Sequence, residues 1–84
     1  MIYRLVYTKR AVKDIHKLEP KVKSRIGRAL LQLQTDPIGH AKRLTNSSLG
    51  TYRFRIGDYR VIFDLDGENI VVLRVGHRKD IYRG

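Results

Sequence analysis

The chain opens on an alternation. Across residues 2–7, Ile2, Arg4 and Val6 fall on one side and Tyr3, Leu5 and Tyr7 on the other, the period-two pattern of a β-strand. Thr8 follows as a helix N-cap, because its hydroxyl can accept from the unpaired N–H groups of a first turn. The period then lengthens. Ala11, Val12, Ile15 and Leu18 recur at helical spacing, with Lys9, Arg10, Lys13 and Lys17 largely off that stripe. Pro20 suits the first turn of a second helix, where the N–H it lacks would have no partner anyway. Val22, Ile26, Ala29, Leu30 and Leu33 mark the apolar face of that helix. Gly27 within it costs about 1 kcal/mol of helix propensity relative to Ala, which points to close approach of another helix. Asp36-Pro37 ends the helix, since the residue before a proline avoids the α region. The pattern predicts two antiparallel helices joined by a tight turn.

From Ile38 to Gly50 no period holds, and Gly39, Asn46, Ser47, Ser48 and Gly50 predict a loop. Alternation then returns, with Tyr52, Phe54 and Ile56 pointing one way and Arg53 and Arg55 the other. Gly57-Asp58 is a turn, after which Tyr59, Val61, Phe63 and Leu65 share a face. Asp66-Gly67 is a two-residue hairpin signal, and the last strand runs from Asn69 to Val75 and ends at Gly76. The expected order is β-α-α-β-β-β, an α+β fold in which a small antiparallel-rich sheet packs against the two-helix hairpin. No repeat or linker interrupts the 84 residues, so one domain over 1–84 is expected.

Charge adds a partner class to this outline. Eighteen Lys and Arg against 8 Asp and Glu leave a net charge of +10 with histidines neutral, a strong attraction for polyanions. Residues 1–50 hold 11 of the basic and 3 of the acidic side chains, whereas six of the seven basic residues after position 50 are arginines. Arg presents a planar fork that matches phosphate, and Lys a mobile point charge. The absence of cysteine excludes disulfides, a thiolate nucleophile and Cys-based zinc sites. Three scattered histidines, His16, His40 and His77, predict neither a metal site nor a cofactor. The longest Ile/Leu/Val run, residues 70–73, is far short of the ~20 apolar residues that span a membrane. Arg4 breaks the opening apolar stretch, unlike a secretion signal, so a cytoplasmic protein with no membrane contact is expected.

Candidate chemistry lies in the strands after position 50. Arg53 and Arg55 sit roughly 7 Å apart on one face, and Arg60 starts the neighbouring strand beyond the turn. If no helix covers that face, these arginines form a basic concavity beside His77, Arg78 and Tyr82. Clustered guanidinium groups repel one another, so an anion in their midst would explain them. A solvated sheet face gives the same alternation. For His77 the two readings are a proton carrier and a turn residue that bonds its own backbone. Tyr52, Phe54, Tyr59 and Phe63 read as sheet core, with Tyr59 near enough to the strand start to reach a base.

The segments Tyr52-Arg53-Phe54-Arg55-Ile56-Gly57-Asp58-Tyr59-Arg60-Val61-Ile62-Phe63 and Val75-Gly76-His77-Arg78-Lys79-Asp80-Ile81-Tyr82 together resemble the RelE/ParE superfamily of type II toxins. The resemblance spans essentially the whole chain. Its RelE-like branch implies a ribosome-dependent endoribonuclease that cuts messenger RNA in the A site, leaving a 2′,3′-cyclic phosphate and a 5′-hydroxyl. By position, Arg60 and Arg78 match the family's phosphate-stabilising arginines, and Arg53 and Arg55 match two basic strand residues that are often lysines. Tyr82 matches the carboxy-terminal tyrosine that orients substrate, subject to a one-residue shift. Arginines are poor bases, so His77 becomes the candidate acid–base group. Lys9, Arg10, Lys13, Lys79 and Arg83 are candidate RNA contacts, the helical lysines having a solvated face as their alternative. The implied partners are a cognate antitoxin, in a hetero-oligomer, and the ribosome with its A-site message. A ParE-like inhibitor of DNA gyrase and a catalytically silent relative are the competing expectations.

Overall fold

In the computed structural model, which describes residues 2–45 and 49–81, the chain begins with strand β1 (Arg4–Tyr7) and helices α1 (Lys9–His16) and α2 (Pro20–Leu33). A short helix α3 (Pro37–His40) and a two-residue strand β2 (Lys42–Arg43) precede the longer strands β3 (Tyr52–Ile56), β4 (Tyr59–Asp66) and β5 (Asn69–His77). One more helical turn, α4 (Arg78–Ile81), ends the described chain. Asn46, Ser47 and Ser48 of the predicted loop, and Tyr82 and Arg83 of the predicted site, lie outside the described residues.

One sheet holds all five strands in the order β1-β5-β4-β3-β2. β1 pairs in parallel with β5, Leu5 opposite Ile70, and every other pairing is antiparallel. The α+β expectation therefore holds. Its list of elements was too short in two places: α4 after β5 was not expected, and residues 38–50 were expected as loop, yet α3 and β2 fall within or beside them. Pro37 both stops α2 and starts α3, because Asp36 caps the new helix by accepting the Gly39 N–H at 3.0 Å. β2 forms only by docking on β3, with Lys42 opposite Arg53, and two residues carry no period of their own. β5 also runs one residue past the expected end at Gly76.

The core lies between the sheet and the first two helices. Phe54, Ile56, Val61, Phe63, Ile70, Val72 and Val75 are buried against Ala11, Ile26, Leu30 and Leu33. Tyr52 stacks on Phe63 with ring centroids 5.3 Å apart, filling the β3 side of this layer. Two details of the helical pattern are corrected. Val12 belongs to the helical spacing but is 43% exposed, so the inward stripe of α1 is Ala11, Asp14, Ile15 and Leu18. A Cβ at Gly27 would meet nothing within 4 Å, so no close helix approach accounts for that glycine.

α1 is anchored at its start. Thr8 Oγ accepts the Ala11 N–H at 3.1 Å, as an N-cap should, and donates to the Leu73 carbonyl at 3.2 Å. This joins the helix to β5 where β1 stops. Among the described residues no helix is long and apolar enough to cross a membrane.

Candidate active site

The turn between β3 and β4 organises the site. Gly57 has φ +60°, a left-handed conformation that glycine tolerates without strain, so the Gly57-Asp58 turn closes the hairpin tightly. A Cβ there would also lie 2.7 Å from Arg25 Nη2, so the glycine leaves room for a guanidinium from α2. All three turn carbonyls are bonded. Arg60 Nη1 donates to Gly57 O at 2.8 Å and to Tyr59 O at 2.9 Å, and the Arg78 N–H donates to Asp58 O at 2.8 Å.

Strand register sets the neighbours. Arg55 lies directly opposite Arg60, and Arg60 opposite Gly76, so these positions form one row that ends beside His77 and Arg78. Lys42, Arg53, Ile62 and Arg74 form the next row. The structure thus brings Arg55, Arg60 and Arg78 to one corner of the sheet, with half-buried Arg53 one row away and His77 at the same end but on the opposite face, beside Tyr59. Exposure separates them: Arg55 and Arg78 are exposed, whereas Arg60 is only 5% exposed.

The second face is therefore not the uncovered basic concavity that the alternation allowed. Ile62 and Ile81 are fully buried on it. A Cβ at Gly50 would strike Ile62 Cγ2 and Leu73 Cδ1 at 2.7 Å, so the chain entering β3 lies over this part of the sheet. Thr51 fixes that segment by donating its N–H to Asp64 Oδ1 at 2.7 Å. Farther along, Ile81 Cδ1 sits 3.2 Å from where a Gly76 Cβ would stand, so α4 packs over the Arg60 row. Alternation can state which residues share a face but not that a four-residue helix will fold back onto it.

His77 sits where both of its sequence readings meet. Its Nδ1 accepts the Lys79 N–H at 3.2 Å, which is the backbone-bonded turn histidine and puts the proton of a neutral ring on Nε2. The ring also meets Tyr59 edge-on, with centroids 5.5 Å apart and planes at 80°. Beside this pair a groove of about 450 Å³ opens, lined among others by Arg10, Lys17, Tyr59, Arg74, His77 and Asp80. Lys9, Lys13 and Lys79 are exposed, and Arg10 reaches Asp14 at 3.6 Å. Among the described residues no three His, Asp or Glu side chains gather as a metal site would require.

Asp14 is the residue that the sequence reading passed over. Past Tyr7 β1 no longer flanks its edge of β5, and there the Asp14 carboxylate takes over the ladder by accepting the Val75 N–H at 3.0 Å. The same Oδ2 accepts from Arg74 Nε at 2.8 Å, so this 8%-exposed carboxylate is paired and bonded. A signal for it existed. Ala11, Asp14, Ile15 and Leu18 have the 0, 3, 4, 7 spacing of an inward stripe, and a carboxylate on such a stripe needs a cation and an N–H.

This architecture has relatives of known structure. The chain superposes with a TM-score of 0.84 on a chain of the Mycobacterium tuberculosis toxin–antitoxin complex RelBE2, at 32% identity over 93% of this chain and 100% of that one. It is also similar to the archaeal RelE–RelB complex from Pyrococcus horikoshii, with a TM-score of 0.75 and 26% identity over the full length of both chains. Toxin RelG of M. tuberculosis is 37% identical over 99% of each chain. The family model for the ParE toxin of type II toxin–antitoxin systems, parDE, matches residues 5–82. The chain belongs to this family of toxins, within the RelE/ParE superfamily.

Proposed function

We propose that this toxin is a ribosome-dependent endoribonuclease, cutting messenger RNA in the A site and silenced by a cognate antitoxin. The observation that carries the reading is the end of the sheet at which Arg55, Arg60 and Arg78 gather, with His77 at the same end on the Tyr59 side. In the reaction the ribose 2′-oxygen forms a bond to the adjacent phosphorus while the bond from phosphorus to the 5′-oxygen breaks. The 2′-hydroxyl gives its proton to solvent water, the departing 5′-oxygen gains one from His77, and a 2′,3′-cyclic phosphate remains. The dianionic phosphorane that forms on the way needs fixed positive charge, which exposed Arg55 and Arg78 supply directly, with Arg53 alongside. Arginine holds that charge at every relevant pH, so the arginines orient and neutralise but do not take the proton.

His77 is assigned the proton transfer. The imidazolium form, which carries a proton on both nitrogens and so releases the Lys79 N–H, is the donor to the departing 5′-oxygen through Nε2. Tyr82, by its family position, orients the substrate base. Exposed Lys9, Arg10, Lys13 and Lys79 extend the basic surface along which ribosomal and messenger RNA phosphates lie, and Arg83 of the sequence is a further candidate contact. An acidic or amphipathic antitoxin segment, forming a hetero-oligomer with the +10 chain, is the regulatory partner. Support for it comes from the related toxins, whose structures are of complexes with RelB antitoxins. The assigned reaction uses no cofactor, takes place in the cytoplasm and occupies a single domain.

The match to a ParE family model favours one other reading, a gyrase inhibitor that acts by binding. Programmed ribosomes carrying a defined A-site codon separate the two. A cut within that codon supports the nuclease, whereas an intact message together with blocked supercoiling by gyrase supports the inhibitor.

A further inference from the structure

Arg60 behaves unlike the arginines around it. By alternation it shares the face of Arg55 and stands opposite it, in the middle of the row that ends at Gly76. Family position would make it a phosphate ligand. Its side chain is nonetheless 5% exposed, and its Nε lies beneath the surface with no hydrogen-bond partner among the described residues. Ile81 is fully buried and packs over Gly76, the residue opposite Arg60, so α4 covers that end of the row while Arg55 at the other end stays exposed. Its Nη1 is committed inward, to the carbonyls of Gly57 and Tyr59.

We infer that Arg60 is a positioning residue: it clamps the Gly57-Asp58-Tyr59 turn, and the turn holds Arg78 and His77. The clamp has two outputs. Between the two carbonyls that Arg60 binds lies Asp58, whose carbonyl accepts the Arg78 N–H at 2.8 Å and so fixes the first residue of α4. Tyr59, whose own carbonyl is held, sets its ring edge-on to His77. One buried guanidinium thereby fixes the backbone of the exposed phosphate-binding arginine and the wall against which the proton carrier rests. A guanidinium suits the task because one nitrogen carries two N–H bonds and can serve two carbonyls at once. Burying a charge opposite the like-charged Arg55 is unfavourable, and the two charge-assisted bonds to the turn offset that cost.

The catalytic part of this inference rests on the nuclease reading; the structural part does not. The test compares Arg60→Gln, Arg60→Lys and Arg55→Gln with the wild-type chain in two measurements. The first is native-state amide exchange at Arg78. Both Arg60 variants should speed it about tenfold, the loss of roughly one hydrogen bond, while the Val72 amide in the core keeps its rate. The second is binding to programmed ribosomes whose A-site nucleotide lacks the 2′-hydroxyl, measured against salt. A residue on a single-stranded phosphate contributes about 0.7 to the slope of log affinity against log salt. Arg55→Gln should lower the slope by about that amount and Arg60→Gln should leave it unchanged, while cleavage at saturating ribosome falls at least tenfold in both Arg60 variants.

A slope lowered by about 0.7 in Arg60→Gln, or an Arg78 amide as protected as in wild type, overturns the inference. Should Arg60→Gln fail to fold, Arg60→Lys keeps the charge but lacks the fork, and the exchange measurement reads the clamp in that variant alone. Should the wild-type chain leave A-site messages intact, the nuclease reading falls while the exchange measurement still decides whether Arg60 holds the turn.

Discussion

The same three long strands build both faces of the sheet, and the two faces follow different rules. Under α1 and α2 the face is uniform: Phe54, Val61, Phe63, Ile70 and Val72 are all buried, and each packs against apolar neighbours. The opposite face is graded. Ile62 is fully buried, Arg60 nearly so, Arg53 half-buried and Arg55 exposed, all within two adjacent rows. Apolar burial is non-directional and rewards any close packing, so the first face needs only the right volumes. Guanidinium groups need acceptors in particular directions, so the second face depends on where a turn carbonyl or a short helix lies. Stability should therefore be concentrated on one face and chemistry on the other.

Substitutions on each face test that division. The largest effect is expected at Phe63→Ala, which removes a fully buried ring stacked on Tyr52 and should cost about 3–5 kcal/mol in urea unfolding. A loss below about 1 kcal/mol would mean the core is not where the structure has it. On the arginine face, Arg78→Ala should slow A-site cleavage by about 10²–10³-fold. His77→Ala, at the same end of the sheet but on the Tyr59 side, should slow it by about 10²–10⁴-fold. Exposed Arg78 opens α4 and half-buried His77 ends β5, so unfolding should shift by no more than about 1 kcal/mol in either variant. A His77→Ala chain that cleaves at the wild-type single-turnover rate, while Arg78→Ala does not cleave, would remove His77 from the mechanism.

Asp14→Ala probes the seam between the faces. It leaves the Val75 N–H and the Arg74 guanidinium without their acceptor and should cost about 2 kcal/mol, below the value for a fully buried pair because Arg74 keeps 19% exposure. Asp14→Asn, which retains an acceptor for Val75, should cost less in the same measurement. The smallest effect has the opposite sign. Since nothing lies within 4 Å of a Cβ at Gly27, Gly27→Ala should stabilise α2 by about 0.5–1 kcal/mol, and a destabilised variant would show that an unseen contact needs the glycine.

Much of the uniform face was legible in the sequence, for a physical reason. Period-two and helical spacings are properties of single elements, so the strands, α1, α2 and the turns at Gly57 and Gly67 could be read one by one. The two glycines with positive φ stand where turn chemistry puts them. What escaped notice depends on contacts between distant segments. β2 pairs only with β3, α4 packs back on Gly76 of β5, and Arg60 is buried although its alternation partner Arg55 is exposed. The row of arginines was readable, but the different roles within it were not. Asp14 lies between these cases, because its place on the inward stripe was visible and its partners, 60 and 61 residues away in sequence, were not.

The central claim is that this arginine corner promotes attack by a ribose 2′-hydroxyl. The most direct measurement is single-turnover cleavage on ribosomes programmed with two messages that differ at one A-site nucleotide, ribose in one and 2′-deoxyribose in the other, with the new 3′ end identified. The account predicts that the ribose message is cut within the A-site codon to a 2′,3′-cyclic phosphate and that the deoxy message stays whole. Equal cutting of both messages, or no cutting of either, would contradict it.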